Sequence, residues 1–283
     1  MPTVTVPVTG GVSEVEYLVT GSGPGVVLVH GTGANPGANF GPLIEALQDT
    51  FTVVAPFLSG SARTTDPGGP LTVDDLVAQV LAAADDAGLG SYHLAGHSLG
   101  ATVAAAAAAA GARPDRVRSL LLHAGWVTTD PWLAFQFDLW QRLLRVDPDL
   151  LARVVQLTAM GPGTLAALGR DEFEETAAGF TDLFEQGDMA RQAALNMRID
   201  ISALLPRITA PALVIAGTHD RIVPPHHQRR LAELIPRATF VELDCGHGLP
   251  FENPQLFVDT ALSFLSRGQA EEVTESGSTV RSS

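Results

Sequence analysis

The chain has 283 residues, of which 46% are apolar and 17% are charged, so it can bury a large core and is not a disordered protein. Its 31 acidic and 17 basic residues give a net charge of −14, which disfavours nucleic acid and anionic membrane surfaces as partners. All the basic residues are arginines, so mechanisms that need a lysine are excluded. The single cysteine, Cys245, excludes an internal disulfide and a cysteine-based zinc site.

The N-terminal segment has neither a basic region nor a long apolar stretch, so no signal peptide is predicted. The most apolar stretch, Ala104–Ala110, is too short to span a bilayer. We therefore expect a cytoplasmic protein with a small-molecule substrate and no membrane partner. The sequence leaves open whether it forms a homo-oligomer.

Strands and helices are predicted to alternate over the first part of the chain. Val4–Val8 and Glu14–Val19 are β-branched runs that predict a hairpin. Further strands are predicted from continuous apolar runs and helices from apolar residues at helical spacing. The strands are Gly25–Val29, Phe51–Ala55, Tyr92–Ala95 and Val117–His123, and the helices are Pro42–Leu47, Leu71–Ala87 and Leu99–Ala110. This alternation predicts an α/β protein with a mostly parallel sheet covered by helices.

Residues 127–205 break this alternation, because no apolar run there is typical of a buried strand. Four amphipathic helices are predicted instead: Trp132–Val146, Asp149–Thr158, Asp171–Glu185 and Met189–Leu204. We interpret this stretch as a helical cap inserted between two parts of the core, residues 1–126 and 206–266. The second part contains predicted strands at Ala212–Ala216 and Thr239–Leu243 and helices at His226–Leu234 and Pro254–Leu265. The polar segment 267–283 is predicted to be a disordered tail.

The segment Gly96-His97-Ser98-Leu99-Gly100 lies between a predicted strand and a predicted helix, the context that a G-x-S-x-G nucleophile requires. A sharp turn there holds the serine hydroxyl above the edge of the sheet, and the glycines leave room for the neighbouring backbone. The start of the helix supplies N–H groups and a positive dipole for an oxyanion. Ser98 is therefore the candidate nucleophile.

A serine nucleophile needs a base, and the base needs an orienting carboxylate. Asp220 and His247 each follow a predicted strand, and catalytic groups collect at the carboxyl ends of parallel strands. Their order after Ser98 is the one expected for this architecture. Asp244 is a rival acid, but it lies only three residues before His247, so we favour Asp220.

The segment His30-Gly31-Thr32-Gly33 follows a predicted strand and offers backbone N–H groups to an oxyanion. Thr32 and Leu99 are the predicted oxyanion donors. The predicted substrate contacts are Gly31, Gly33, His123, Trp126 and Trp140. Four arginines could bind a substrate carboxylate, although solvated salt bridges are the simpler interpretation: Arg142, Arg145, Arg191 and Arg198. Histidine–carboxylate spacing of the zinc-protease type is absent from the sequence, so we expect no metal and no cofactor.

Together these segments resemble the α/β-hydrolase-fold enzymes, and the resemblance extends from Val15 to Leu265. It depends on four segments: His30-Gly31, Gly96–Gly100, Asp220 with its Arg-Ile-Val-Pro continuation, and Gly246-His247 with Glu252-Asn253-Pro254 downstream. The segment Leu121–Trp126 is similar to the small esterase, aminoacrylate hydrolase and enol-lactone hydrolase group. The loop Gly31–Phe40 loosely resembles that of C–C bond hydrolases. The resemblance implies an α/β-hydrolase fold with a helical cap.

The function expected from these motifs is hydrolysis of a small or medium, fairly apolar ester, lactone, thioester or carbamate through an acyl-enzyme. Ser98, His247 and Asp220 form the expected triad. Three alternatives stay open. They are a C–C bond hydrolase on the same residues, cofactor-free lyase, cyclase or oxygenase chemistry that uses the His–Asp pair without an acyl-enzyme, and a non-catalytic ligand-binding protein.

Overall fold

A central sheet runs through the computed structural model, which describes residues 1–110 and 116–278, with side chains as far as Ser266. Its strands in these ranges are β1 Thr3–Val8, β2 Gly11–Thr20, β3 Gly25–Val29, β4 Thr52–Pro56, β5 Tyr92–His97, β6 Val117–His123, β7 Ala212–Gly217 and β8 Ala238–Leu243. Their order is β1-β2-β4-β3-β5-β6-β7-β8. β2 is antiparallel to β1 and β4, and the other neighbours are parallel. The predicted α/β class is confirmed.

Helices cover both faces of the sheet. α1 Pro36–Leu47 and α11 Pro254–Ser278 pack on one face, and α2 Val73–Asp86, α3 Leu99–Ala110 and α9 Pro225–Leu234 pack on the other. β3, β5 and β7 are buried along their whole length, which explains their continuous apolar sequences. All of α3 except its last residue is buried, and its alanines let it approach the sheet closely.

Capping residues mark the first turn of α2 and of α1. Thr72 caps α2, since its hydroxyl accepts from the N–H of Asp75 at 3.1 Å. α1 begins at Pro36, earlier than the predicted Pro42. Asn35 is its cap and accepts from the N–H of Ala38 at 2.9 Å. An asparagine followed by a proline was the signal for this earlier start.

The stretch between β6 and β7 contains the helices α4 Pro131–Val146, α5 Pro148–Ala159, α6 Pro162–Ala167, α7 Arg170–Glu185 and α8 Met189–Asn196. α6 was not predicted, and α8 ends at Asn196 instead of Leu204. Ile199 and Ile201 are buried in an extended segment that bonds to Thr129 and Val127, so their apolar spacing does not reflect a helix. We refer to α4–α8 as the cap.

The C-terminal helix also differs from its prediction. After the short α10 Leu249–Glu252, α11 continues to Ser278, beyond the predicted end at Leu265. The stretch Gln269–Glu272 contains good helix formers, which favours the longer helix. The predicted tail, residues 267–283, therefore overlaps α11 as far as Ser278. Residues 279–283 lie outside the described residues, and their disorder stays a prediction. Within the described ranges, every helix is too short or too polar to cross a membrane.

Candidate active site

Ser98 occupies a strained turn between β5 and α3. Its φ is 57°, in the left-handed region that a serine adopts only at a cost. A Cβ on Gly100 would lie 1.9 Å from the carbonyl oxygen of Val29, and one on Gly96 would lie 2.2 Å from that of Gly100. Both glycines are therefore required by the turn, which directs Ser98 into the wall of a cavity.

Asp220 and His247 are buried at the same edge of the sheet, where their side chains form a hydrogen bond. Nδ1 of His247 donates to Oδ2 of Asp220 at 2.8 Å, and Gln228 donates to the same oxygen at 3.0 Å. The other oxygen of Asp220 accepts from the N–H groups of Ile222 and Val223. Because the carboxylate fixes the proton on Nδ1, Nε2 of His247 keeps its lone pair, and the ring lines the cavity together with Ser98.

Asp244 points away from this contact. Its side chain is 92% exposed, and it accepts from Nε2 of His219 at 2.8 Å. The structure therefore brings Asp220 to His247 and pairs Asp244 with another histidine. Cys245 is buried, and burial together with the acidic neighbours raises the pKa of its thiol to about 12, so this thiol stays protonated.

Glu252 ties the histidine loop to the cap. Its Oε1 accepts from the N–H of Gly246 at 2.7 Å, and its Oε2 accepts from the N–H of Gly161 and the hydroxyl of Thr164, each at 2.7 Å. A Cβ on Gly246 would lie 2.1 Å from the carbonyl oxygen of Ala159, so the loop and the end of α5 are in direct backbone contact. Glu252 belongs to a segment that carries the family resemblance, but no contact was predicted for its side chain. Its place five residues after His247 was the available signal.

Some backbone N–H groups near the loop after β3 are hydrogen-bonded within the protein, and others are not. Gly31 donates to Oδ1 of Asn39 at 2.8 Å, and Gly33 donates to Oε1 of Gln192 at 2.8 Å. The N–H groups of Thr32 and Leu99 donate to no acceptor in the described parts of the chain. Both therefore remain available to a ligand, as an oxyanion site requires.

The cap holds this loop from the opposite side. Gln192 also donates to the carbonyl of Ser59 at 2.9 Å, and Asn196 donates to Oγ1 of Thr32 at 2.8 Å. Gly33 has a φ of 65°, and a Cβ there would lie 2.6 Å from the sulfur of Met189. Gln192 and Asn196 were not among the predicted site residues. Their spacing of four residues, which places two amides on one face of α8, could have indicated them.

The cavity encloses about 610 Å³ of space, part of it continuous with solvent. Gly31, Gly33 and Trp140 line it as predicted. Most of its wall is apolar, with contributions from Val155, Met160, Phe180, Phe184, Ile222 and Phe251.

His123 and Trp126 do not line the cavity, so these two predicted substrate contacts are wrong. Both are fully buried. His123 lies behind His97, with the ring centroids 4.9 Å apart. Trp126 packs against Phe137 and donates to the hydroxyl of Thr129 at 2.8 Å. The placement of both residues near the carboxyl end of β6 was correct, but the sequence does not show which side of the sheet edge each ring occupies.

Aspartate, glutamate and arginine are absent from the cavity wall in the described part of the chain. None of the four arginines considered as carboxylate ligands lines the cavity, and three of them are engaged elsewhere. Arg142 pairs with Asp138, Arg191 pairs with Asp66, and Arg198 donates to the carbonyl of Leu71. The site therefore suits an uncharged ligand.

His30 braces the loop instead of facing the ligand. Its Nδ1 donates to the carbonyl of Gly31 at 2.9 Å, and its Nε2 accepts from the N–H of Leu58 at 3.0 Å. Burial lowers the pKa of His30 to about 4, so the ring is neutral at physiological pH.

One group of side chains in the described ranges has ligand atoms close enough together to hold a metal ion. Ligand atoms of Asp130, His226 and His227 lie within 4.8 Å of one another where α4 and α9 begin. The three residues do not line the cavity. The expectation that the protein needs no metal stays a prediction.

The fold and this arrangement define a hydrolase of the α/β class. Residues 24–254 match the family model described as the alpha/beta hydrolase fold, and the chain belongs to this family. Pyrrolizixenacetamide deacetylase of Xenorhabdus hominickii is 39% identical over 256 residues, which are 90% of this chain and 96% of that protein. RutD of Azorhizobium caulinodans, which is named as a carbamate hydrolase, is 29% identical over 90% of this chain and 96% of its own length.

Solved structures give the same result. A thermophilic esterase from Thermogutta terrifontis superposes with a TM-score of 0.80 at 28% identity, over 95% of this chain and 99% of its own. The enol-lactonase from Burkholderia xenovorans LB400 superposes with a TM-score of 0.79 at 26% identity, over 94% and 100%. These relatives confirm the resemblance to the small esterase and enol-lactone hydrolase group.

Proposed function

We propose that the protein is a serine hydrolase of a small or medium, uncharged and fairly apolar acyl compound: an ester, a lactone, a thioester, a carbamate or an N-acyl amide. The observation that carries this proposal is the presence of Ser98, on its strained turn, and of the Asp220-bound ring of His247 in the wall of one cavity. N-acyl amides are included because a 39% identical relative is named as a deacetylase.

In the proposed reaction, Nε2 of His247 takes the proton of the Ser98 hydroxyl while the oxygen attacks the substrate carbonyl. Asp220 holds the ring in the required tautomer and stabilises its charged form. The free N–H groups of Thr32 and Leu99 bind the oxyanion of the tetrahedral intermediate.

The intermediate then collapses to the acyl-enzyme. The bond between the acyl carbon and the alcohol, thiol or amine breaks, and His247 gives its proton to that leaving group. A water molecule, deprotonated by His247, attacks the acyl carbon, and the acid leaves as Ser98 regains a proton. Atoms and charges balance with water as the only co-reactant.

The test compares the wild type with Ser98→Ala on p-nitrophenyl esters of increasing acyl length and on p-nitroacetanilide. Ser98→Ala should lower kcat by roughly 10⁴- to 10⁶-fold, because it removes the nucleophile. A fluorophosphonate adduct, detected by mass spectrometry, should form on the wild type and not on Ser98→Ala. Ser202→Ala, a change of an exposed serine, is the matched control and should retain full activity and labelling.

The other outcomes separate the alternatives. Turnover that survives in Ser98→Ala but is lost in His247→Ala would indicate cofactor-free chemistry without an acyl-enzyme. Cleavage of a vinylogous 1,5-diketone in preference to esters would indicate a C–C bond hydrolase. If neither turnover nor labelling occurs, the hydrolase proposal is wrong and a ligand-binding protein is the better description.

A further inference from the structure

Three histidine rings form a row from the sheet to the cavity. His123, at the end of β6, stacks on His97 with the ring centroids 4.9 Å apart, and the ring of His97 lies 5.0 Å from that of His247. The Nδ1 atoms of His123 and His97 are 2.9 Å apart. A contact this short between two ring nitrogens contains one proton, so one nitrogen donates and the other accepts.

Both rings of this contact are uncharged. His123 is fully buried and His97 is nearly so. Burial lowers the pKa of His123 to about 3, and it lowers the pKa of His97 well below its usual value. Each neutral ring carries one proton. The role of Nδ1 in the contact therefore determines whether Nε2 of the same ring carries a proton.

The two Nε2 atoms have different surroundings. Nε2 of His123 is buried and has no hydrogen-bond partner among the described residues. Nε2 of His97 also lacks a partner in the described ranges, but His97 lines the cavity. If His97 donated in the contact, His123 would carry an unpaired buried N–H, which is rare in proteins and costly. If His123 donates, the free N–H is on His97, where a ligand can accept it.

We propose that His123 donates to His97, and that the Nε2–H of His97 is a binding subsite beside Ser98 for an uncharged hydrogen-bond acceptor of the substrate, such as a ketone, amide or lactam oxygen. The inference rests on the proposed function, which places the substrate in this cavity. A carboxylate fits poorly, because the wall in the described residues has no cationic side chain and His97 is neutral. His97 contacts the substrate, and His123 is a positioning residue that acts through it.

The tautomers can be measured without any turnover by ¹⁵N NMR of protein labelled on histidine. The expected spectrum has protons on Nε2 of His97 and on Nδ1 of His123, and no proton on the other two nitrogens. His97→Gln and His123→Asn, which each remove one set of signals, provide the assignment. The reverse pattern of protonation would overturn the proposal.

Ligand preference can be measured in the Ser98→Ala background, where the esters should not turn over. Calorimetry would compare phenyl butanoate, phenyl 3-oxobutanoate and phenyl hydrogen malonate, which have nearly the same size. The keto ester should bind about three- to tenfold more tightly than the butanoate, the effect of one net hydrogen bond. The charged malonate should bind most weakly.

Substitutions at the two rings give a matched series in the same background. His97→Gln should keep the keto-ester preference, because its amide nitrogen reaches the position of the ring Nε2. His97→Asn reaches only the position of Nδ1 and should lose the preference, as should His97→Leu. His123→Asn can still donate to His97 and should keep the preference, whereas His123→Leu should weaken it.

An unchanged preference in His97→Asn would overturn the proposal, and the Gln and Asn variants decide the question if the Leu variants do not fold. The two proposals fail separately. If the wild type hydrolyses no ester while Ser98→Ala still prefers the keto ester, the subsite stands and the hydrolase function falls. Ester hydrolysis together with the reversed tautomers gives the opposite conclusion.

Discussion

The cavity has a core side, formed by loops at the edge of the sheet, and a cap side, formed by α4–α8. The two sides hold their polar groups by different means. On the core side, strained turns and backbone N–H groups orient Ser98 and Asp220, and the residues responsible are close in sequence. On the cap side, Gln192 and Asn196 of α8 bond to a loop of the core that lines the cavity. The core side therefore contains the groups that we propose to react, and the cap side holds the loop that carries Thr32.

The largest effect should come from the core side. Asp220→Asn keeps the shape of the side chain but removes the charge that fixes the tautomer of His247. We expect kcat to fall by roughly 10⁴-fold, with little change in KM. Steady-state kinetics on a p-nitrophenyl ester measures this effect. Asp244→Asn is the control, since Asp244 pairs with His219, and an equal loss in that variant would contradict the assignment of Asp220.

A smaller effect is expected on the cap side. Gln192→Ala removes the acceptor for the N–H of Gly33 and the donor to Ser59, so the loop that carries Thr32 loses a fixed position. We expect kcat to fall by about 10- to 100-fold, less than the loss of a whole oxyanion donor. The control is Gln141→Ala, because Gln141 contacts the sulfur of Met197 within the cap. An equal kcat in the two variants would show that the cap closes the cavity but does not position the loop of Thr32.

The smallest expected effect concerns the stability of the folded core and its dependence on pH. Burial lowers the pKa of His30 and His93 to about 4, and that of His123 to about 3. In the unfolded chain these rings titrate at about pH 6.5. Between about pH 4 and about pH 6.5 the unfolded chain therefore binds more protons than the folded protein. The free energy of unfolding should fall as the pH decreases from about 6.5 towards about 4, by up to ~1.4 kcal/mol per pH unit for each ring.

Urea denaturation at about pH 7.5, pH 6 and pH 5 measures this slope. His93→Gln should reduce it, because it removes one buried titrating ring. Ser202→Ala, which changes an exposed side chain that does not titrate, should leave the slope unchanged. A stability that does not vary over this range would show that these rings do not stay neutral in the folded protein.

The sequence predicted the core side well because strain restricts residue types locally. The turn at Ser98 demands glycine at Gly96 and Gly100, so a five-residue pattern is enough to find it. Asp220 and His247 could be placed because parallel strands end at one edge, and the fold class followed from the alternation of strands and helices.

The cap side was harder to predict because its contacts are remote in the chain. Gln192 bonds to residues 133 and 159 positions away, and its spacing from Asn196 indicates a shared face of α8 but not the partners in the core. Buried aromatic residues present the same difficulty. Trp126 and Trp140 both follow β6, yet only Trp140 lines the cavity, and that difference depends on how α4 packs.

Glu252 has a consequence for how ligands enter and leave. One carboxylate bonds both to the loop of His247 and to the start of α6, so α6 cannot swing outward without losing a bond that also positions the base. Opening of the site at this side would switch the chemistry off. A movement of the cap that keeps the three bonds of Glu252 would leave the proposed base in place, so ligand exchange by that movement need not interrupt a catalytic cycle.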